Sequence, residues 1–498
     1  MANIPSVNRR NFLALGSLAT AMTALELTGA VSTIPNRAAA ATNPAAVQPS
    51  DIQFDIGAFT AAPQTASNGV TFAMPPVHTV LLTGQLLRRP TTADQTEFAR
   101  GLAALETAYP WSAGGLITFV SYGLPYFNRL NQTVVNANIP KLAANTSRSV
   151  LREAVPSPTD VVAGNGITKL RYNVPVRIEN NDVLFTLRSD NASFLQDALN
   201  YLNGSNSLRG TSVRSPAFGG LLRFTSSRSM FVQQGLPTAV AAQNGLPFAN
   251  FIQPDTPMWM GFFDQQTNAA GPAAVCTFVG SQAARLTTAT AGQYFDNGSI
   301  QHLSHDIIDM LQWFDMDTAS SPPGGDGVFT ERVQYMFHSP QIHNGNADQF
   351  TNGGGPSLQF NENRNPGYAA TTAQGIGTNT DPVTGVHERR MGHLSTLQRS
   401  SRATDGTPVH IRMDGPGFDN LDVPDGSNQP KLQFTIFVPT SDFFQTMRSN
   451  QASLDLKNQF DVPETDNGLE RFITATRRQN FLVPPRRHRA FPLVEIGG

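Results

Sequence analysis

Four side chains in this sequence have types and surroundings suited to acid-base or ligand chemistry: Asp264, His387, His393 and Arg412. Asp264 ends the apolar run "MWMGFFD", where a carboxylate is stable only if it is paired, protonated or put to use. His387 and His393 flank "ERRMG", and "GHLSTLQRSSRATDGTPVHIRMDGPGFD" carries the chain from the second histidine past Arg412. A neutral imidazole is a good iron or zinc ligand, and a guanidinium is a permanent donor able to stabilise a developing anion. The competing reading of each histidine is a hydrogen-bonded structural residue.

Other groups offer less. His302 and His305, with Asp306, share one face of a helix expected over "SIQHLSHDIIDMLQWFDMD" and suggest part of a metal site, but no second ligand pair accompanies them. The arginines 477, 478, 486, 487 and 489 read as a solvated basic edge, with a bound anion as the alternative partner. Trp111, Trp259 and Trp313 read as core. Cys276 is the only cysteine, which excludes an intrachain disulfide and a four-thiolate cluster built from one chain. No phosphate loop, dinucleotide fingerprint, G-x-S-x-G elbow or zinc-protease helix is present.

The elements that must position these groups follow from apolar periodicity. "VHTVLLTGQLL" reads as a strand, "TTADQTEFARGLAALETAY" as an amphipathic helix with a Thr/Asp start, and "GLITFVSYGL" as a second strand. "DVLFTLRSD" is a further strand, followed by the helix "NASFLQDALNYLNG". The second half repeats this order, with the strand "PKLQFTIFVP", the helix "SDFFQTMRSNQASL", and a short helix expected at the start of "LERFITATRRQNFLVPPRR". Residues 319–386 are rich in Gly, Asn and Pro and read as long loops. The pattern is α+β, with helices on one face of a mainly antiparallel sheet. At 498 residues the chain exceeds one ordinary domain, and its formal charge of −2 gives no general attraction to nucleic acid or anionic lipid.

In the order of these pieces the sequence resembles the dye-decolorising peroxidases. That family carries a "GFxDG" motif upstream of a haem-ligating His, which is followed by an Arg. Here "GFFDQ" supplies Asp264, "GHLSTLQR" supplies His393, and "HIRMDG" supplies Arg412 just before the strand "LQFTIFVP". "GLITFVSYGLPYF", "DVLFTLRSDNASFLQDAL" and "ERFITATRRQNFLVPP" are similar to other family segments, so the resemblance spans most of residues 75–490. Two departures mark a divergent branch: Gln265 stands where the family has Gly, and "RMDG" where it has "RRG". His387 competes for the ligand role, but His393, nineteen positions before Arg412, has the spacing closer to the family pattern.

The resemblance implies two ferredoxin-like domains in a barrel-like arrangement, one haem b ligated by His393, and peroxide-dependent oxidation of an organic donor. Asp264 would take a proton from hydrogen peroxide and return it to the departing oxygen, while Arg412 favours the ionised Asp and stabilises the charge that develops. Two rival readings remain: a haem-binding or haem-processing protein with little turnover, and a haem-free envelope binding module. The paired Arg9 and Arg10, the apolar stretch that follows and "RAAAAT" read as a twin-arginine signal over 1–41, calling on the twin-arginine export machinery and placing the mature protein in the periplasm, cell envelope or medium. A linker or wrap over 42–75, an N-terminal domain over 52–215 and a haem domain over 216–498 complete the expected organisation. Beyond the signal no apolar run approaches the roughly 20 residues of a membrane helix, so no membrane insertion of the mature protein is expected.

Overall fold

In this computed structural model the described residues are 48–252 (apart from 60–63, 66–70 and 73), 256–260, 272–280, 286–314, 316, 376–380, 387–391, 410–452, 454 and 469–498. The proposed signal at 1–41 lies outside them, as do Asp264, His393 and most of the loops expected over 319–386.

The first half is built from β1 (His78–Leu86), α1 (Thr92–Ala108), β2 (Ile117–Gly123), β3 (Val183–Ser189), α2 (Ala192–Leu202) and β4 (Leu222–Phe231). α1 begins where Thr91 accepts from the Asp94 amide while the Asp94 carboxylate accepts from the Thr91 amide, a reciprocal cap. It then lays Phe98, Leu102 and Leu105 onto the sheet. Asn191 caps α2, which buries Leu195, Ala198, Leu199 and Leu202 on the same face. The second half comprises β5 (Ser299–Ile308), β6 (Ile411–Arg412), β7 (Gly415–Asp419), β8 (Gln429–Val438), α3 (Ser441–Ala452) and β9 (Ile473–Val483).

All these strands join one antiparallel sheet in the order β4-β1-β3-β2-β9-β5-β8-β6, with β7 also on β8 and Arg177–Ile178 added in parallel to β9. Within each half the order is fourth-first-third-second, the ferredoxin-like arrangement. The halves meet where Phe481 and Leu482 of β9 pair with Gly123 and Tyr122 of β2. Only glycine fits at 123, because a Cβ there would lie 2.2 Å from the Asn181 carbonyl oxygen. The two ends of the sheet also approach each other: a Cβ on Gly417 of β7 would stand 2.9 Å from the Ser229 carbonyl of β4. The sheet therefore curls into a barrel-like body with its helices outside. One end of the interior is apolar, where Phe54 stacks on Phe437 and Phe59 meets Trp111 edge-on. The other end holds Arg228, Glu179, Arg477 and Asp422 in linked ion pairs.

Three sequence expectations change. The helix expected over 299–317 is the strand β5 followed by a single helical turn, Met310–Trp313, capped by Asp309. All ten residues of β5 are buried between β8 and β9, and a strand covered on both faces shows no alternation to distinguish it from a helix. The helix expected near 470 is only the short turn Glu470–Phe472, and the rest of that segment is β9. The strand completing the first four-stranded unit, β4, lies beyond the boundary expected at 215. No helix among the described residues is long and apolar enough to cross a membrane.

Candidate functional site

The helix-bearing face of the second half collects an unusual number of buried polar groups. Strand register sets the arrangement: Arg412 pairs with Ile436, Ile436 with His302, and His302 with Asn480, so these four residues form a row across β6, β8, β5 and β9 on one face. His302 is fully buried, its ring stacked on Phe444 of α3 with centroids 3.6 Å apart. Its Nδ1 lies 2.7 Å from Asn480 Oδ1, and Asn480 Nδ2 donates to the Arg152 carbonyl at 3.0 Å. That second bond orients the amide, so Nδ1 carries the proton and Nε2 is left as a lone pair with no hydrogen bond among the described residues. Burial, reinforced by the Arg478 charge, holds the imidazole pKa well below its usual value, so the ring is neutral. Arg412 is half-buried, and desolvation lowers its pKa against the opposing charge of Asp414.

Next along the face is a charge cluster supplied by both halves. Arg478 makes a bidentate pair with Asp160, Nε to Oδ2 at 2.6 Å and Nη2 to Oδ1 at 2.8 Å. Burial works against the Asp160 carboxylate, but the Arg478 charge and hydrogen bonds outweigh it and hold the pKa below the ordinary value. Arg448 of α3 donates from Nη2 to both carboxylate oxygens of Glu470, at 2.9 and 3.0 Å. Thr159 also donates to the Glu470 carboxylate, and Lys169 to the Glu470 carbonyl. Asp306 is fully buried, accepts from Ser304 at 3.0 Å, and is pushed up to about 6 by burial, with Arg478 and Arg448 opposing the rise.

Asp160, Thr159 and Lys169 belong to a strap, residues 150–178, that the first half extends over the second. Ser441 N donates to the Val150 carbonyl and Arg152 N to Ser441 Oγ, anchoring the strap to the start of α3. Between strap and helix lies a cavity of about 150 Å³.

Of the expected site residues, Arg412 alone has a described side chain, and it lies on this face. Asp264 and His393 are outside the described residues. His387 falls in the strand His387–Met391, its backbone paired with Thr380. His302 and His305 do not share a face: three residues apart on a strand, they point to opposite sides. His305 faces the barrel interior, bonded through Nδ1 to Gln433 at 3.0 Å, with burial lowering its pKa to about 4. No group of three or more potential metal ligands occurs among the described residues. The arginine cluster is not a solvated edge either. Arg477 pairs inside the barrel with Asp422 and Glu179, Arg486 and Arg489 both bind Glu106, and Arg487 binds Asp51 and Asp296. All three tryptophans are buried, as expected.

Haem is the group the motifs imply, and Arg412 fits it: a half-buried guanidinium on a helix-bearing sheet face is a cation beside which an anionic group is stabilised. The cavity under the strap does not, being well below the roughly 300–1,000 Å³ typical of organic ligand sites.

A family model matches residues 76–485, nearly the whole span of the barrel. The chain belongs to DUF7405, described as a family of unknown function. No curated protein matches this DUF7405 chain. Among solved structures it is similar to the encapsulated DyP-type peroxidase from Mycobacterium smegmatis, with 15% identity and a TM-score of 0.42, over 86% of this chain and 98% of that one. It is similar also to a dye-decolorizing peroxidase from Bacteroides thetaiotaomicron VPI-5482, with 14% identity, TM-score 0.43, and 85% and 96% of the two chains covered. A third is a variant of DypB from Rhodococcus jostii RHA1 in complex with haem, with 14% identity, TM-score 0.43, and 84% and 96% covered.

The sequence reading missed Asp160, Arg478, Asn480 and Asp306. One signal was present: adjacent arginines inside the apolar run "ITATRRQNFLV" fall on opposite faces of a strand, so a buried strand there requires a carboxylate on each side.

Proposed function

We propose that this protein is an exported haem peroxidase of the dye-decolorising type, which uses hydrogen peroxide to oxidise an organic donor. The observation that carries the reading is Arg412, half-buried on the helix-bearing face of the second half and following Asp264 and His393 in the family's order. Haem b, when bound, supplies a redox-active iron. His393 would hold it, with His387 the alternative. Asp264 would accept a proton from hydrogen peroxide and return it to the departing oxygen. Arg412 keeps Asp264 ionised and stabilises the negative charge that develops between them. The N-terminal Arg9–Arg10 signal directs the folded chain through the twin-arginine route to the periplasm, envelope or medium.

Gln265, in place of the motif's glycine, favours a second reading, a haem-binding protein with little peroxide turnover. The absorption spectrum of the purified protein tests both. A Soret band lost in His393→Ala and kept in His387→Ala is the expected result. The reverse pattern moves the ligand role to His387, retention in both variants defeats the assignment, and absence of the band from the wild type leaves a haem-free binding module.

A further inference from the structure

The cavity under the strap is independent of the residues assigned to haem, and its lining is chemically specific. Arg152 and Ser157 of the strap form one wall, Ser441 and Arg448 of α3 the other, and Arg478 and Asn480 of β9 the floor. Arg478 is only 3% exposed, and Asp160 occupies its Nε and Nη2. Its Nη1 takes part in neither bond and is left to the cavity, which the side chain borders. Arg448 Nε is buried and likewise without an acceptor. Ser441 Oγ accepts from Arg152 N at 3.1 Å, so its own proton remains to be donated. Two carboxylates share the lining, but Asp442 is already held by Arg148 and Arg152, at 2.8 and 3.1 Å, and Glu153 is exposed at the rim. The surplus is of donors, from permanently charged groups and a hydroxyl, around a space of about 150 Å³. That volume equals roughly five water molecules, the size of an oxyanion with a few heavy atoms.

We propose that the cleft between the strap and α3 binds a small oxyanion, a short carboxylate or a phosphate, against Arg478 with Ser441 and Arg448 at its sides. The orphan donors supply the recognition. Arg478 Nη1 opens to the cleft, and an acceptor oxygen placed there gains a charge-assisted hydrogen bond. Neighbouring ion pairs fix both guanidiniums in place, so little side-chain entropy is lost on binding.

The test is calorimetric titration of the full chain with inorganic phosphate and, separately, with acetate at constant ionic strength. Ser449→Phe, on the same helix wall, should fill the space without touching an ion pair. Saturable binding by the wild type, abolished in Ser449→Phe at unchanged unfolding temperature and roughly tenfold weaker in Arg478→Lys, is the expected result. Saturation by phosphate alone identifies a phosphoryl group, and saturation by acetate alone a carboxylate. The proposal is overturned if neither anion saturates, or if Ser449→Phe binds as the wild type does.

Discussion

Removal of one carboxylate, Asp160, should reveal how strongly the strap holds the second half. Asp160 and Arg478 side chains are each 4% exposed, and their two hydrogen bonds have charge-assisted lengths. Asp160→Ala leaves a guanidinium buried beside Arg448, whose own charge is already engaged by Glu470. Breaking a buried pair from one side destabilises by about 3–5 kcal/mol, against about 0–1 kcal/mol for an exposed pair. Equilibrium urea unfolding of the full chain at pH 8 should place Asp160→Ala in the first range, with little dependence on salt because the pair is shielded from solvent. Asp160→Ala combined with Arg478→Met should recover most of the loss, since the orphaned charge is then gone. A loss below about 1 kcal/mol, or a double variant no more stable than the single one, would refute the argument.

Asp306 gives a prediction of opposite sign. Its carboxyl is raised from 3.8 to about 6, so its contribution to stability is complete below pH 3.8 and is lost as pH rises through 6, by about 3 kcal/mol. Asp306→Asn should flatten the stability profile between pH 4 and pH 6.5, and unfolding midpoints at several pH values check it. Asp264→Asn should retain haem yet slow reaction with peroxide by roughly 10²- to 10⁴-fold, read by stopped-flow spectra at matched haem content. Equal rates would deprive Asp264 of its proton-transfer role. Replacing Arg9 and Arg10 by Lys should strand the precursor in the cytoplasm, as fractionation would show, since the signal's receptor reads the guanidinium pair rather than its charge.

The strands and helices that present one apolar face to a core were legible in the sequence. β1, β2, β3, β8 and the helices α1, α2 and α3 each lie where periodicity and caps put them. β5 was not legible because both its faces are covered. Gln301, His302, Ser304 and His305 each hydrogen-bond to a neighbouring strand, so polar residues there do not mark solvent. The strap carries no periodicity, and Asp160 meets its partner 318 residues later in the chain, a pairing that no local pattern encodes. Arg412 was nominated from motif order alone, whereas its alignment with His302 and Asn480 depends on strand register.

β9 is made after every other strand of the sheet, yet it lies in the middle of it, between β2 and β5. Until it leaves the ribosome, β2 and β5 both present bare hydrogen-bonding edges, and the two halves lack the strand that joins them. Such edges invite pairing with other chains, so a nascent or truncated form ending before residue 473 is the aggregation-prone species. Folding of this barrel thus waits for residues 473–483: the sheet closes only once β9 has been made, and a stop codon just before it should be as damaging as one far upstream.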